Sequence, residues 1–482
     1  MRQELLKYSN LVNIILLHKN LRISDNPALY FGCKAKEALI IYVYDKNYWQ
    51  SNGKSQRQFK FCLDCLSELE KKLNRLNRDL YVFEGDLVSL ARWINKNFPK
   101  SNIFLNQTTD IGYYKNQYKK FIEEFSNFKR LTEYEDFGIQ TKNHNRDNWS
   151  SNWHRIMNQS LVSPPEVSSS KRSKPSGLVA FESFKKTFSA EDLKNINIQL
   201  GGEDKANELL SSFLEKRVEG YSSRMSSPSE AEYSCSRLSP HITFGTISIK
   251  TIFQEVQRKM NSSPFRKDLY SFKKRLHWHC HFIQKLETEP ELEFKSMHSM
   301  CDSLREKEDV ELIERWISGE TGFPFLDACM TYLKKHGWIN FRMRAMIMSF
   351  ASYNLWQPWQ KTSPLLAELF VDYEPGIHIC QVQMQSGVTG INLPRIYSVL
   401  KQSSDQDPSA IWIKNQINLL KDVKPQDIHE AELNNIYHKK IIDLKSSAKK
   451  AREAIWSLRK DSDFKKVANE VFLKHGSRLR RT

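Results

Sequence analysis

The sequence predicts two unlike domains in series: an N-terminal α/β domain on a doubly wound parallel sheet, then a larger all-α domain. Three observations predict this. Over residues 1–135, short runs rich in Val, Ile, Leu, Phe and Tyr alternate with helical apolar spacing. A repeated strand–helix order implies a parallel sheet covered on both faces. Over residues 143–177 the composition turns to Ser, Asn, Pro, Lys and Arg, which marks a connecting segment, taken as 136–202. From 203 to 482 the apolar spacing is helical almost throughout.

Taken in order, strands are expected at 12–17, 38–44, 80–83 and 103–105, and helices at 58–76, 87–98 and 113–125. The connecting segment carries Ser163-Pro164-Pro165 and a run from Ser168 to Arg172, and is expected to lie across the surface. Trp149, Trp153 and His154 inside it call for a part that docks. In the last domain the strongest helical segments are 206–219, 265–286, 325–336, 342–354 and 365–370.

Lys and Arg number 73 against 56 Asp and Glu, a net charge of +17. Such a surplus suits a polyanionic partner, nucleic acid first, because phosphate contacts release condensed counterions. No apolar run approaches the ~20 residues that cross a bilayer. The first ten residues are polar, and a cytoplasmic monomer is expected. The eight cysteines are scattered, as befits reduced thiols. Cys62 and Cys65 form a C-x-x-C pair inside a helical pattern, so core packing is expected, and no metal site is read.

The segment from Ser234 to Gly245 is the most informative. Ser234, Cys235, Ser236, Arg237, Leu238 and Ser239 lead into an apolar helical run. Hydroxyls, an arginine and a helix start suit a diphosphate. Further motifs are Leu21-Arg22 to Leu29, Trp316 to Ala328, Gly337-Trp338 to Arg344, and Asp372-Tyr373-Glu374. In the first of these, Arg22 can pair with Asp25 to stiffen a loop. In the second, glycines and a proline set a tight turn ahead of Asp327.

Together these segments resemble the DNA photolyase and cryptochrome family, over nearly the whole chain and most closely between Ser234 and Pro394. The resemblance implies an α/β domain at 1–135, a linker at 136–202 and a helical FAD-binding catalytic domain at 203–482. It implies FAD as cofactor and leaves room for a second, antenna chromophore in the first domain. Tyr221, Ser234, Cys235, Ser236, Arg237, Leu238 and Ser239 match positions near the flavin phosphates. Arg344 and Asp372 match the pair beside the reactive ring edge, where a guanidinium favours the reduced anion FADH⁻. Arg275, Tyr373, Glu374 and His378 complete the expected cofactor wall, Glu374 as acceptor for the ring imide. Trp278 matches the tryptophan that stacks on a flipped lesion. Phe341, Arg342, Met384, Arg395 and Lys401 are expected at the DNA.

Departures accompany the matches. Phe341 stands where cyclobutane-dimer photolyases carry Asn, and Arg275 where they carry Glu. Val382 and Met384 replace two tryptophans, so the first link of the family's electron-hopping chain is missing, while Trp359 and Trp356 remain further out. His277 and His281 share a helix face beside Trp278. The expected function is light-dependent repair, with an electron passing from photoexcited FADH⁻ to a flipped-out pyrimidine dimer, the cyclobutane type first. The alternatives are a cryptochrome-type photoreceptor, against which the lack of a long extension past Thr482 is weighed, and a (6-4) photolyase.

Overall fold

The computed structural model describes residues 12–35, 37–126, 130–142, 144–169, 174–188, 196–433 and 436–477. The C-terminal basic residues Arg478, Arg480 and Arg481, the polar first ten residues, and Ser170, Lys171 and Arg172 lie outside them.

A six-stranded sheet forms the first half, in the order β5-β4-β1-β2-β3-β6. Its strands are β1 (Asn13–Leu17), β2 (Ala38–Tyr44), β3 (Leu80–Glu84), β4 (Asn102–Asn106), β5 (Leu131–Tyr134) and β6 (Val179–Ala180). The first five run parallel, with Ile15 of β1 opposite Ile40 on one side and Phe104 on the other. Side chains alternate across the sheet. Ile14, Leu16, Leu39 and Ile41 enter one buried cluster, and Ile15, Leu17, Ile40 and Tyr42 enter another. Helix α1 (Gln56–Arg75) covers the second face with Phe61, Leu66, Leu69 and Leu73. Helices α2 (Leu87–Asn97) and α3 (Gly112–Ser126) cover the first with Leu90, Ile94, Phe121 and Phe125.

The connecting segment is more structured than its composition suggests. Helix α4 (Trp149–Met157) buries Trp149 and Trp153 among Phe253, Leu269 and Phe272 of the helical half. The two-residue β6 then pairs antiparallel with β3. Two aromatic anchors in nine residues outweigh the polar sequence around them.

In the helical half, α5 (Ile249–Met260) and α6 (Arg266–Thr288) are followed by α7 (Pro324–His336), α8 (Phe341–Ser349), α9 (Trp359–Leu369) and α10 (Pro375–Ser386). The motif around Asp327 acts as a structural knot. Its carboxylate accepts from Thr321 N, Thr321 Oγ1, Gly322 N and Tyr437 OH.

The halves lock together at the loop after β1. Leu21 N donates to Phe244 O at 3.2 Å, and Arg22 Nη1 to Gly245 O at 3.0 Å. Arg22 reaches the Asp25 carbonyl and forms its ion pair with Asp136, at 2.6 Å, instead of with the Asp25 carboxylate. Gly245 has φ +64°, and a Cβ there would lie 1.9 Å from Lys19 O. No other residue fits this contact without moving backbone.

Candidate functional site

The site is a cavity of about 490 Å³ walled by the helical half, within the range of roughly 300–1,000 Å³ common for ligand pockets. Helical periodicity builds two of its walls. On α6, Phe272, Arg275, Leu276 and His279 face it; on α10 and its N-cap, Glu374, Ile377, His378, Gln381, Val382 and Gln385 do. Residues three and four apart share a helix face, so each set is one stripe.

Arg344 on α8 and Asp372 before α10 meet on the wall in a two-pronged pair. Nη1 lies 3.0 Å from Oδ1 and Nη2 2.9 Å from Oδ2. Arg344 Nε donates to Ile339 O at 2.7 Å, and the guanidinium lies 4.1 Å from the centre of the Phe370 ring. Three fixed contacts leave this cation a single orientation.

His378 Nε2 lies 3.0 Å from Ser363 O. A carbonyl only accepts, so Nε2 carries the proton and Nδ1 is bare. Burial pushes His378 down to about 4 and His279 down to about 3, so both imidazoles are neutral at pH 7. Glu374 accepts from Lys19 Nζ at 2.9 Å through Oε2, while Oε1 is buried without a partner. Burial is the largest influence on this carboxyl and raises its pKa.

The diphosphate segment divides. Cys235, Ser236 and Ser239 line the cavity, as does Tyr221. Ser234 lies buried behind them with its Oγ unpartnered, and Leu238 packs into the core. Arg237, at φ +60°, turns its guanidinium onto Trp338 at 3.9 Å from the ring centre, off the cavity lining.

Phe341, 50% exposed, and Arg342, Arg395 and Tyr397 also line the cavity. Arg275 is held by Met225 Sδ at 3.1 Å. Tyr373 completes the lining beside Asp372. Trp278 is not in the lining. It sits around α6 from the cavity stripe, 40% exposed, against His281 and Phe282. Met384 and Lys401 are also outside the lining, as is Trp359, buried with its Nε1 on Ser296 Oγ at 3.0 Å. His277 packs on Trp149 and His281 bonds Arg146. Among the described residues no group of His, Cys, Asp or Glu could hold a metal ion.

Sequence reasoning missed Trp338, Asn340, Thr243, Gln381, Gln385 and Tyr397 as lining residues, and named His279 only among the histidines flanking Trp278, as candidates to line the lesion pocket. The signal for His279, Gln381 and Gln385 was present, because each continues a stripe already marked by Arg275 or His378. For Thr243 and Tyr397, tertiary contact alone decides.

A flavin dinucleotide fits this wall. Buried polar atoms without partners on the lining residues include donors, Arg275 Nε and Arg342 Nε, and acceptors, Asn340 Oδ1, Glu374 Oε1 and Gln381 Oε1. Unpaired buried polar groups are costly, and a ligand presenting both phosphate oxygens and ring N–H groups would satisfy them. FAD is such a ligand.

Comparison with known proteins agrees. Residues 272–457 match the FAD binding domain of DNA photolyase, and residues 13–125 match the DNA photolyase family. A deoxyribodipyrimidine photo-lyase of Alkalihalophilus pseudofirmus is 29% identical over 48% of this chain and 47% of its own length. The (6-4)DNA photolyase of Arabidopsis thaliana is 24% identical over 87% of this chain and 81% of its own. A bacterial class III photolyase structure from Agrobacterium tumefaciens superposes with a TM-score of 0.81 at 20% identity, covering 94% of this chain and 98% of that one. With its sheet domain, its helical cavity and both family matches in register, this chain belongs to the DNA photolyase and cryptochrome family and carries that family's FAD-binding domain.

Proposed function

We propose that the chain is a light-dependent DNA-repair flavoenzyme, a deoxyribodipyrimidine photo-lyase acting on cyclobutane pyrimidine dimers. The observation that carries this reading is the Arg344–Asp372 fork on the wall of a cavity that also has exposed Phe341 in its lining. Reduced FAD supplies the light absorption and the electron that opens the dimer. The chain's own residues hold and orient. Arg344 and Asp372 fix the reactive edge, Tyr221, Cys235, Ser236 and Ser239 take the phosphates, and Glu374 takes the imide. Phe341 offers the exposed ring for a flipped base, and Arg342 and Arg395 the charge for phosphates. Trp278, off the lining, is assigned to the DNA around the lesion. Lys401 and Met384 are not needed for the pocket.

We divide the chain at 1–135, 136–202 and 203–482, as sheet domain, linker and catalytic domain, and place it in the cytoplasm. No described helix is long and apolar enough to cross a membrane.

His279 on the wall favours a second reading, a (6-4) photolyase using a histidine as proton donor. Its pKa, lowered to about 3 by burial, opposes this, since a neutral imidazole has no proton ready at pH 7. The test is direct. Protein loaded with reduced FAD is illuminated with oligonucleotides bearing each lesion, and restored pyrimidines are counted. Restoration of the cyclobutane lesion alone is expected. Restoration of neither, with FAD bound, would instead mark a photoreceptor.

A further inference from the structure

Behind Glu374 lies a buried ionic cluster that the repair reading does not use. Lys19 leaves the end of β1 and donates to Glu374 Oε2 at 2.9 Å and to Thr109 O at 2.9 Å. Its Nζ is 3.3 Å from Asp110 Oδ2. That same oxygen lies 2.8 Å from His18 Nε2 and accepts from Tyr48 OH at 2.8 Å. Lys54 Nζ sits 3.3 Å from Asp110 Oδ1 and donates to Tyr48 OH at 2.7 Å. Every member except His18 is buried, with no more than 8% of the side chain exposed in Lys19, Lys54, Asp110 and Glu374, and the His18 side chain is 13% exposed.

The cluster holds two ammoniums and two carboxylates, so with His18 neutral its charge is zero. It meets the flavin cavity through Glu374, a lining residue whose Oε1 is buried and has no partner. Small cavities flank it, two of them of about 10 Å³ on the Asp110 and Thr108 sides, each with room for about one water. One is lined by Thr109, Asp110 and Glu374, the other by His18, Lys19 and Thr108. The hydroxyls of Thr108 and Thr109 are buried without partners.

We propose that His18, Asp110, Lys19 and Glu374 form a proton relay from the sheet domain, through which Glu374 gains one proton when negative charge appears in the cavity and loses it when the charge leaves. The step balances. A proton from solvent enters at His18 Nδ1, and His18 passes its Nε2 proton to Asp110 Oδ2. Lys19 gives a proton to Glu374 Oε2 and takes the one held on Asp110. The net change is one solvent proton added to the Glu374 carboxylate. Glu374 is then a proton-exchanging wall residue, and Lys19 a positioning residue that feeds it. The groups facing Glu374 are Lys19, Asp110 and Lys54, with Tyr373 beside it; burial and Asp110 favour its neutral form, and the two lysines favour its charged form.

This inference rests on the flavin reading, and the test separates the two. FAD binding is first read by absorbance; a protein that takes up no FAD overturns the flavin reading and the relay with it. The bound FAD is then reduced chemically, and the infrared difference spectrum and proton uptake are recorded. A carboxylic-acid C=O band is expected on reduction, lost in Glu374→Gln together with one proton of uptake. His18→Phe, at the open end of the relay, should slow uptake on the order of tenfold, the lower part of what a positioned proton carrier contributes. Lys19→Met should abolish the band; if that variant fails to fold, His18→Phe still decides. FAD bound with no carboxyl band, or a band that survives Glu374→Gln, overturns the relay alone. Unchanged uptake in His18→Phe overturns the route.

Discussion

Breaking the Arg344–Asp372 fork from its two ends should give unequal losses, and the inequality follows from exposure. The Asp372 side chain is 3% exposed and that of Arg344 26%. Arg344→Met strands a buried carboxylate and also removes the bond to Ile339 O. Stranding one partner of a buried pair costs about 3–5 kcal/mol, and partial solvent access at the arginine places this case at about 3 kcal/mol. Asp372→Asn leaves the cation instead, which water reaches, and should cost about 1–2 kcal/mol. The double variant should lose about 2 kcal/mol, well short of the sum, for a coupling of about 2–3 kcal/mol. Urea unfolding of the FAD-free protein, with all four members of the cycle, measures this. Equal single losses, or a coupling below about 0.5 kcal/mol, would refute the claim that the fork is a buried, mutually dependent pair. Titration of the same four proteins with FAD should show the weakest binding in Arg344→Met.

Phe341→Ala should weaken binding of lesion-bearing DNA by about 1–3 kcal/mol, the worth of one stacked base, and leave FAD absorbance unchanged; fluorescence anisotropy on damaged and intact oligonucleotides checks it. Trp359→Phe should barely change repair by prereduced enzyme, because Trp359 lies off the cavity lining, and a large loss in single-turnover repair would count against that placement. Glu289, hydrogen-bonded to His475 and paired with Lys474 at 3.0 Å, is held down to about 2, with the His475 bond the largest cause. Its folded pKa lies below its unfolded one, so its stabilisation is present above about pH 4.5 and fades as pH falls toward 2. After discounting for its partial exposure, the wild type should exceed Glu289→Gln by about 1 kcal/mol at pH 6, a gap that urea unfolding shows closing near pH 2.

The fold was legible where one periodicity ran unbroken. β1 to β4 are nearly continuous apolar runs, as strands covered on both faces must be, and α1, α2 and α3 carry clean helical stripes. β5 was not legible, since Leu131-Thr132-Glu133-Tyr134 is an edge strand with no fully buried residue. β6 has two residues, too few for any period. The helix expected at 206–219 ends at Ser212 and continues as a wider turn over Phe213–Arg217, where Arg217 donates to Ser236 O at 3.3 Å. No local pattern reports that distortion. In the site, Arg344 with Asp372 was legible from two motifs, whereas the place of Trp278 was not. Its spacing puts it next to Arg275 on α6, but Arg275 is the edge of the cavity stripe, and Trp278 lies past that edge, turned away from Leu276 and His279.

The bonds between the halves tie the cavity walls to the sheet domain although no described residue of that domain lines the cavity. Arg57 of α1 donates to Leu333 O and Lys334 O near the end of α7 and to Leu369 O at the end of α9. Gln58 donates to Ala367 O and Phe370 O. The last carbonyls of a helix lack donors within the helix, and two side chains of the sheet domain bond to those of two helices of the other half. Those helix ends lead to Gly337 and to Val371, which join at 2.9 Å, and from there to Arg344 and Asp372. Lys19 adds a third tie at Glu374. The two carboxylates of the Asp372-Tyr373-Glu374 motif are thus aimed from opposite sides, one by a cation of its own domain and one by a cation of the other. A sheet domain retained only to hold an antenna would need no such grip on the flavin wall. Here it is a structural part of the site, so the cavity geometry should be lost when the domains are separated.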